Sequence, residues 1–217
     1  MKKIQISILI LVLLCISACV CSCNEELLDD SKQGDNDLND SNSYMNIYYD
    51  ILNNNTLLFD TNTNKKVFLQ DYLNDAGLTK SKYSFVDLDE DATEEMIIWL
   101  FRGTNEYRGF LILRINNDDV YAYELSYRNF YELKEDGTFM YSSSASDYGI
   151  GKINFVDATY TIIPIVYCKS TDGDHKTHYY IDNSSISKKD FDNYIMEQNK
   201  KVATNWAEFT LDPSLEN

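Results

Sequence analysis

Five residues near the middle of the chain have the types and spacing of a cation cage. In Phe85-Val86-Asp87-Leu88-Asp89-Glu90-Asp91-Ala92-Thr93-Glu94-Glu95-Met96, the acids Asp87, Asp89 and Asp91 alternate, and Thr93 and Glu95 continue the same spacing. Calcium takes about six to eight hard oxygen ligands at roughly 2.3–2.6 Å. Carboxylates at the first, third and fifth positions of a tight loop curl around one point. A backbone carbonyl from Thr93 and the carboxylate of Glu95 would complete the set. The fourth and sixth positions carry Glu90 and Ala92, where such a loop favours glycine because glycine reaches left-handed backbone angles at little cost. Three readings therefore stand: a Ca2+ site, a loop that keeps the turn but has lost the ion, and a plain acidic turn. In each the loop feeds an apolar strand over 96–101. The same acids also define an alternative, a cell-envelope hydrolase using the acidic loop.

The second residue with chemistry to do is Cys19. Met1-Lys2-Lys3 is a basic start, and residues 4–14 form an apolar run too short to cross a bilayer core comfortably. Ile16-Ser17-Ala18-Cys19 follows. It resembles the lipobox of bacterial lipoproteins, in which the cysteine thiol takes a diacylglyceryl group. That resemblance implies a signal peptide over 1–18, and fatty-acyl chains such as palmitate on Cys19. It also implies a cell-membrane, lipid-anchored location on the extracytoplasmic face. Each buried methylene adds about 0.8 kcal/mol, so two or three chains hold a protein firmly.

Other constellations fall short. His175 and His178 flank Lys176, where a zinc protease motif needs a glutamate on a helix. No serine elbow, Ser-x-x-Lys or Cys–His signature is present, and the 8 glycines make no phosphate-binding fingerprint. The catalytic set is therefore empty, which favours a non-enzyme. The charge is −16, from 35 acids against 19 lysines and arginines; the two lysines of residues 1–18 leave with the signal, making it −18. An acidic surface of this kind repels nucleic acid. Cys15 leaves with the signal too, Cys21 and Cys23 lie in the stalk, and Cys168 sits in an apolar run as a small buried hydrophobe.

The elements that must position the loop follow from periodicity. Residues 24–43 are rich in Asp, Glu, Asn and Ser and read as a disordered tether, so 19–43 is a lipidated acidic stalk and 44–217 a single domain. Helical spacing appears over 44–52 and 67–74, and again over 188–201 after the near capping box Ser187-Lys188-Lys189-Asp190. Between them lie strands over 83–86, 96–101, 109–115, 120–127, 131–133, 138–142, 152–156, 160–168 and 177–181. The turns at 116–119, 135–137 and 172–174 are short, as antiparallel hairpins require. Pro164 inside a strong strand marks an edge or a bulge. Trp206 and Phe209 should fold back onto the sheet. The expectation is an α+β fold, an antiparallel meander with a helix near each end of the domain.

The acidic loop resembles, over about a dozen residues, the DxDGDGxxD/E calcium loops of FG-GAP-type and dockerin-like sites. Tyr127-Arg128, residues 133–139, 149–155 and the ending 191–206 look like a family of clostridial and Firmicutes lipoproteins in which such a loop precedes an antiparallel sheet. The resemblance implies a Gram-positive envelope and no particular activity. The expected function is a non-catalytic binding or structural module at the cell envelope, with the membrane as one partner and an envelope glycan or protein as another. Tyr121, Tyr123, Tyr127 and Tyr131 are candidate contact residues. A calcium-stabilised structural domain is a further alternative.

Overall fold

The computed structural model describes residues 36–103, 106–117, 119–170 and 176–209. The expected signal peptide, Cys19, Cys21, Cys23 and the expected tether up to residue 35 lie outside them. The chain divides into two units, Met1–Asp40 and Ser41–Asn217, and both sheets, the core and the acidic loop belong to the second.

In chain order the elements are α1 (Asn36–Leu52), β1 (Leu58–Asp60), β2 (Lys65–Val67), α2 (Leu69–Ala76), β3 (Leu78–Val86), β4 (Glu95–Arg102), β5 (Glu106–Asn116) and β6 (Asp119–Ser126). They continue with β7 (Phe139–Ser144), β8 (Asp147–Val156), β9 (Thr159–Ser170), β10 (Thr177–Ile181), β11 (Ser184–Ile186), α3 (Lys188–Lys200) and β12 (Ala207–Glu208). The fold is α+β, mostly antiparallel sheet, with a helix near each end of the described region. The first helix begins at Asn36, inside the stretch expected to be tether. Asn, Asp and Ser are disfavoured inside helices but favoured where one starts, and composition alone did not separate that from disorder.

One meander was expected; two sheets are present. The first has seven strands in the order β12-β3-β4-β5-β6-β1-β2, the second five in the order β11-β10-β9-β8-β7. Every pairing is antiparallel except β1 with β6. The stretch 131–133 is not a strand: Tyr131 makes a single bridge to Met140, and Leu133 precedes the turn over 134–137, its carbonyl accepting the N–H of Thr204. Pro164 lies in β9, an interior strand, and the register shifts beside it between Ile150 and Gly151, so it sits at a bulge.

The first sheet is covered on both faces, which is why β4 reads as a nearly unbroken apolar run. Met96, Ile98 and Leu100 face a core shared with Tyr48 and Ile51 of α1 and with Leu69 and Leu73 of α2. Ile97 points the other way and joins Phe110, Ile112 and Tyr123 against Phe139, Ile153 and Phe155 of the second sheet. Phe191 of α3 closes the far side over Met140, Ile150, Val166 and Cys168. The layers run helix, sheet, sheet, helix. Helix α2 stops because Gly77 takes φ 63° and donates its N–H to the carbonyls of Asn74 and Leu73. Helix α3 starts on Ser187, whose side chain accepts the N–H of Asp190. Trp206 packs on Trp99 and Phe110, and Phe209 on Tyr83, as expected of a returning tail.

Candidate metal centre

The loop over 87–94 leaves β3 and enters β4, and its backbone is curled by its own carboxylates. The two oxygens of Asp87 accept the N–H groups of Asp91 and Ala92 at 3.1 and 3.0 Å. Asp91 Oδ1 accepts the N–H of Thr93 at 2.8 Å. Glu90 and Ala92, the two positions where glycine is favoured, both take left-handed angles, φ 63° and 69°. A non-glycine residue held there costs on the order of 1 kcal/mol, so the curl survives against the preference of its own residues.

Leu88 is fully buried between the sheets and anchors the loop at its centre. Its N–H donates to Glu95 Oε2 at 2.8 Å. Glu95, the first residue of β4, is 1 % exposed. The turn over 134–137 backs the loop so closely that a Cβ on Gly137 would lie 2.8 Å from the Asp87 carbonyl oxygen, and Gly137 itself has φ 74°. Tyr48 of α1 donates its hydroxyl to the Glu94 carbonyl at 3.0 Å. Glu90 pairs with Lys152 of β8. One helix, both sheets and a turn therefore hold the loop in place.

The residue missing from the expected set is Arg114, in β5. Its Nη2 lies 2.9 Å from both Asp89 Oδ2 and Asp91 Oδ2, and its Nε 3.5 Å from Glu95 Oε1. The guanidinium carbon also stands 5.3 Å from the centre of the Phe155 ring. The register explains the meeting: Met96 pairs with Leu113, which places Arg114 beside the entrance to β4. A sequence signal existed, since a lone arginine inside the apolar stretch Phe110-Leu111-Ile112-Leu113-Arg114-Ile115 must find an acid.

Asp87, Asp89 and Glu95 converge: one ligand oxygen from each lies within 4.8 Å of the others, a group that could hold a metal ion. Asp91 and Thr93 stand outside this trio, Asp91 being turned to Arg114. Asp89 Oδ1 is buried and has no hydrogen-bond partner among the described residues. Burial pushes the carboxyl of Glu95 up to about 8; the charges of Asp89 and Asp91 add to this, and the Leu88 N–H and Arg114 oppose it. Burial also raises Asp89, against the pull of Arg114.

The remaining candidates sort by position. His178 lies in β10 opposite Lys169, and His175 is outside the described residues. Cys168 is 2 % exposed and donates its thiol to the Ser146 carbonyl at 3.3 Å. Tyr123 is fully buried core, Tyr121 is half-buried and stacks on it, and Tyr127 and Tyr131 line a cleft. No family model matches the chain, and no curated protein or solved structure matches it either.

This geometry makes two outcomes measurable. Replacing Arg114 by Met leaves the largely buried Asp89 carboxylate without its cation, and should cost about 3 kcal/mol or more in urea unfolding at neutral pH without divalent ions. An unchanged midpoint would show that the ion pairs contribute nothing. Secondly, the folded Glu95 carboxyl titrates near 8, above its ordinary 4.5. Between those values the folded chain keeps a proton that the unfolded chain has released. Stability in calcium-free buffer therefore falls as pH rises through that window and levels off above it. Glu95→Gln should remove that component of the slope; identical pH profiles of melting would refute the assignment.

Proposed function

We propose that the chain is a lipid-anchored, extracytoplasmic, non-catalytic module of the cell envelope, with a calcium ion as a structural staple at the 87–95 loop. The observation that carries the calcium reading is the buried, unpartnered Asp89 Oδ1 beside the carboxylates of Asp87 and Glu95. Hard oxygens at that spacing suit calcium better than softer metals. The acid count agrees: Asp89, Asp91 and Glu95 share a single guanidinium and Asp87 converges on Asp89 and Glu95, so acids outnumber cations there and a divalent ion would displace the Glu95 proton. The left-handed angles of Glu90 and Ala92 support it further, because they keep the curl that glycine gives loops of this kind.

A role in holding structure fits the location of the loop better than catalysis does. Glu95 is 1 % exposed and is not presented to a substrate. Calcium there would tie the start of β4 to the Leu88 anchor and stiffen the junction of the two sheets. The alternative, an ion-free loop, rests on Arg114, which already supplies a positive charge 2.9 Å from Asp89 and Asp91.

The two readings separate in one titration. Calcium added to chelator-treated protein should release or absorb heat and raise the melting temperature, magnesium should do so less, and Asp89→Asn should lose most of the shift. No heat and no shift for the wild type would leave Arg114 as the permanent cation and remove calcium from the proposal.

The membrane address rests on Lys2, Lys3, the apolar run and the Ile16-Ser17-Ala18-Cys19 box. Cells fed labelled palmitate should label this protein, and it should enter the detergent phase on phase separation. Cys19→Ser should lose the label and move to the aqueous phase. A wild-type protein found unlabelled in the aqueous phase would sink the anchor.

A further inference from the structure

A second site lies away from the acidic loop. Tyr107 of β5, Tyr127, Arg128 and Tyr131 of the segment after β6, and Ser142 of β7 line a cleft of about 320 Å³. That is near the lower end of small-molecule pockets, about 300–1,000 Å³. The rim is open to solvent, since Tyr127 is 49 % exposed and Arg128 is exposed as well.

The walls are aromatic and held in place. The Tyr107 and Tyr127 rings are 5.8 Å apart, and Tyr107 is backed by Trp99 at 5.1 Å and Phe101 at 5.7 Å. The backbone of the other wall is pinned: the Arg128 carbonyl accepts the N–H of Ser142 at 2.7 Å, and Tyr131 exchanges two hydrogen bonds with Met140 at 3.0 and 2.8 Å. Rigid aromatic rings at a solvent-open rim give contact area at little entropic cost.

The charge is the discriminating feature. Arg128 is the one charged residue lining this cleft, and its guanidinium makes no ion pair or hydrogen bond among the described residues. Lys65, Arg102 and Lys189 also make no ion pair among the described residues; what sets Arg128 apart from them is its place in a cleft walled by tyrosines. The phenol hydroxyls of Tyr107, Tyr127 and Tyr131 likewise make no hydrogen bond among the described residues, which leaves them free to donate and accept.

We propose that this cleft binds a carboxylated sugar unit of a glycan, its ring against the tyrosines and its carboxylate on Arg128. A sugar ring offers an apolar C–H face to the aromatic walls and hydroxyls to the phenols and Ser142. A planar guanidinium pairs with a carboxylate through two parallel hydrogen bonds. The cleft is too small for a folded partner, and its open rim admits one unit of a longer chain. This extends the envelope-module reading, and depends on it only for where the glycan would be met.

The test is fluorescence titration of the full chain in detergent with trigalacturonate, and with maltotriose as a neutral trisaccharide. It is run in chelator, so that binding of calcium by uronate plays no part. Trigalacturonate should bind at least about tenfold more tightly than maltotriose. Arg128→Gln should abolish that preference, and Tyr127→Ala should weaken both sugars; both residues are exposed, so circular dichroism and melting should match the wild type. No binding of trigalacturonate overturns the proposal. So does binding that both variants leave unchanged, or an acidic peptide that binds where neither sugar does. Phase partition and calcium response are read on the same preparations. Their failure with uronate binding intact would strike the earlier reading alone, and the reverse would strike only this one.

Discussion

A carboxylate 1 % exposed at the mouth of a strand must be neutralised, either by a proton or by a cation held against it. Glu95 is in that position, and much of the local architecture is the means of satisfying it. The Leu88 N–H takes one of its oxygens and Arg114 approaches the other. Arg114 is kept near because β5 pairs with β4 in a register that brings it to the loop, and because Phe155 of the second sheet covers its guanidinium. Remove the burial of Leu88 or the pairing of β4 with β5, and the acids of the loop lose the geometry that makes them a group.

That geometry is unfavourable in backbone terms as well. Two residues with side chains occupy left-handed angles, and the Gly137 turn is pressed against the loop with no room for a Cβ. Strain of this sort persists only where surrounding structure over-determines it. Here the surroundings are Tyr48 from the first helix, Lys152 from the second sheet and the apolar packing between sheets. The loop thus sits where three of the four layers meet, and a change in its charge state would be felt by all of them.

The sheet-forming segments were legible because their alternation and apolar runs reflect burial directly. The strands around Met96, Leu111 and Tyr123 were found, as were the Ser187 cap and an irregularity at Pro164, where of the two expected forms, edge or bulge, the bulge is present. The division into two sheets was not legible: a strand pattern records which faces are buried, not which sheet covers them. β1, β2, β11 and β12 escaped because two or three residues carry no period. At the site, the acidic spacing pointed to the right residues, but the cation among them came from a strand nineteen residues further on than Glu95, and only the pairing register connects the two. Of the tyrosines offered as contacts, Tyr123 was drawn into the core because strand alternation assigns faces only once the covering layer is known.

The sheet margins carry a consequence of their own. The first sheet ends on β12, two residues long, and on β2, three residues long with two lysines; the second ends on three-residue β11 and on β7, whose register slips between Ser142 and Ser144. Brief, charged or kinked margins are poor templates for a neighbour's backbone. Copies crowded together can therefore collide edge to edge without zipping into a shared sheet, and a chain so rich in strand can reach high concentration yet stay individually folded.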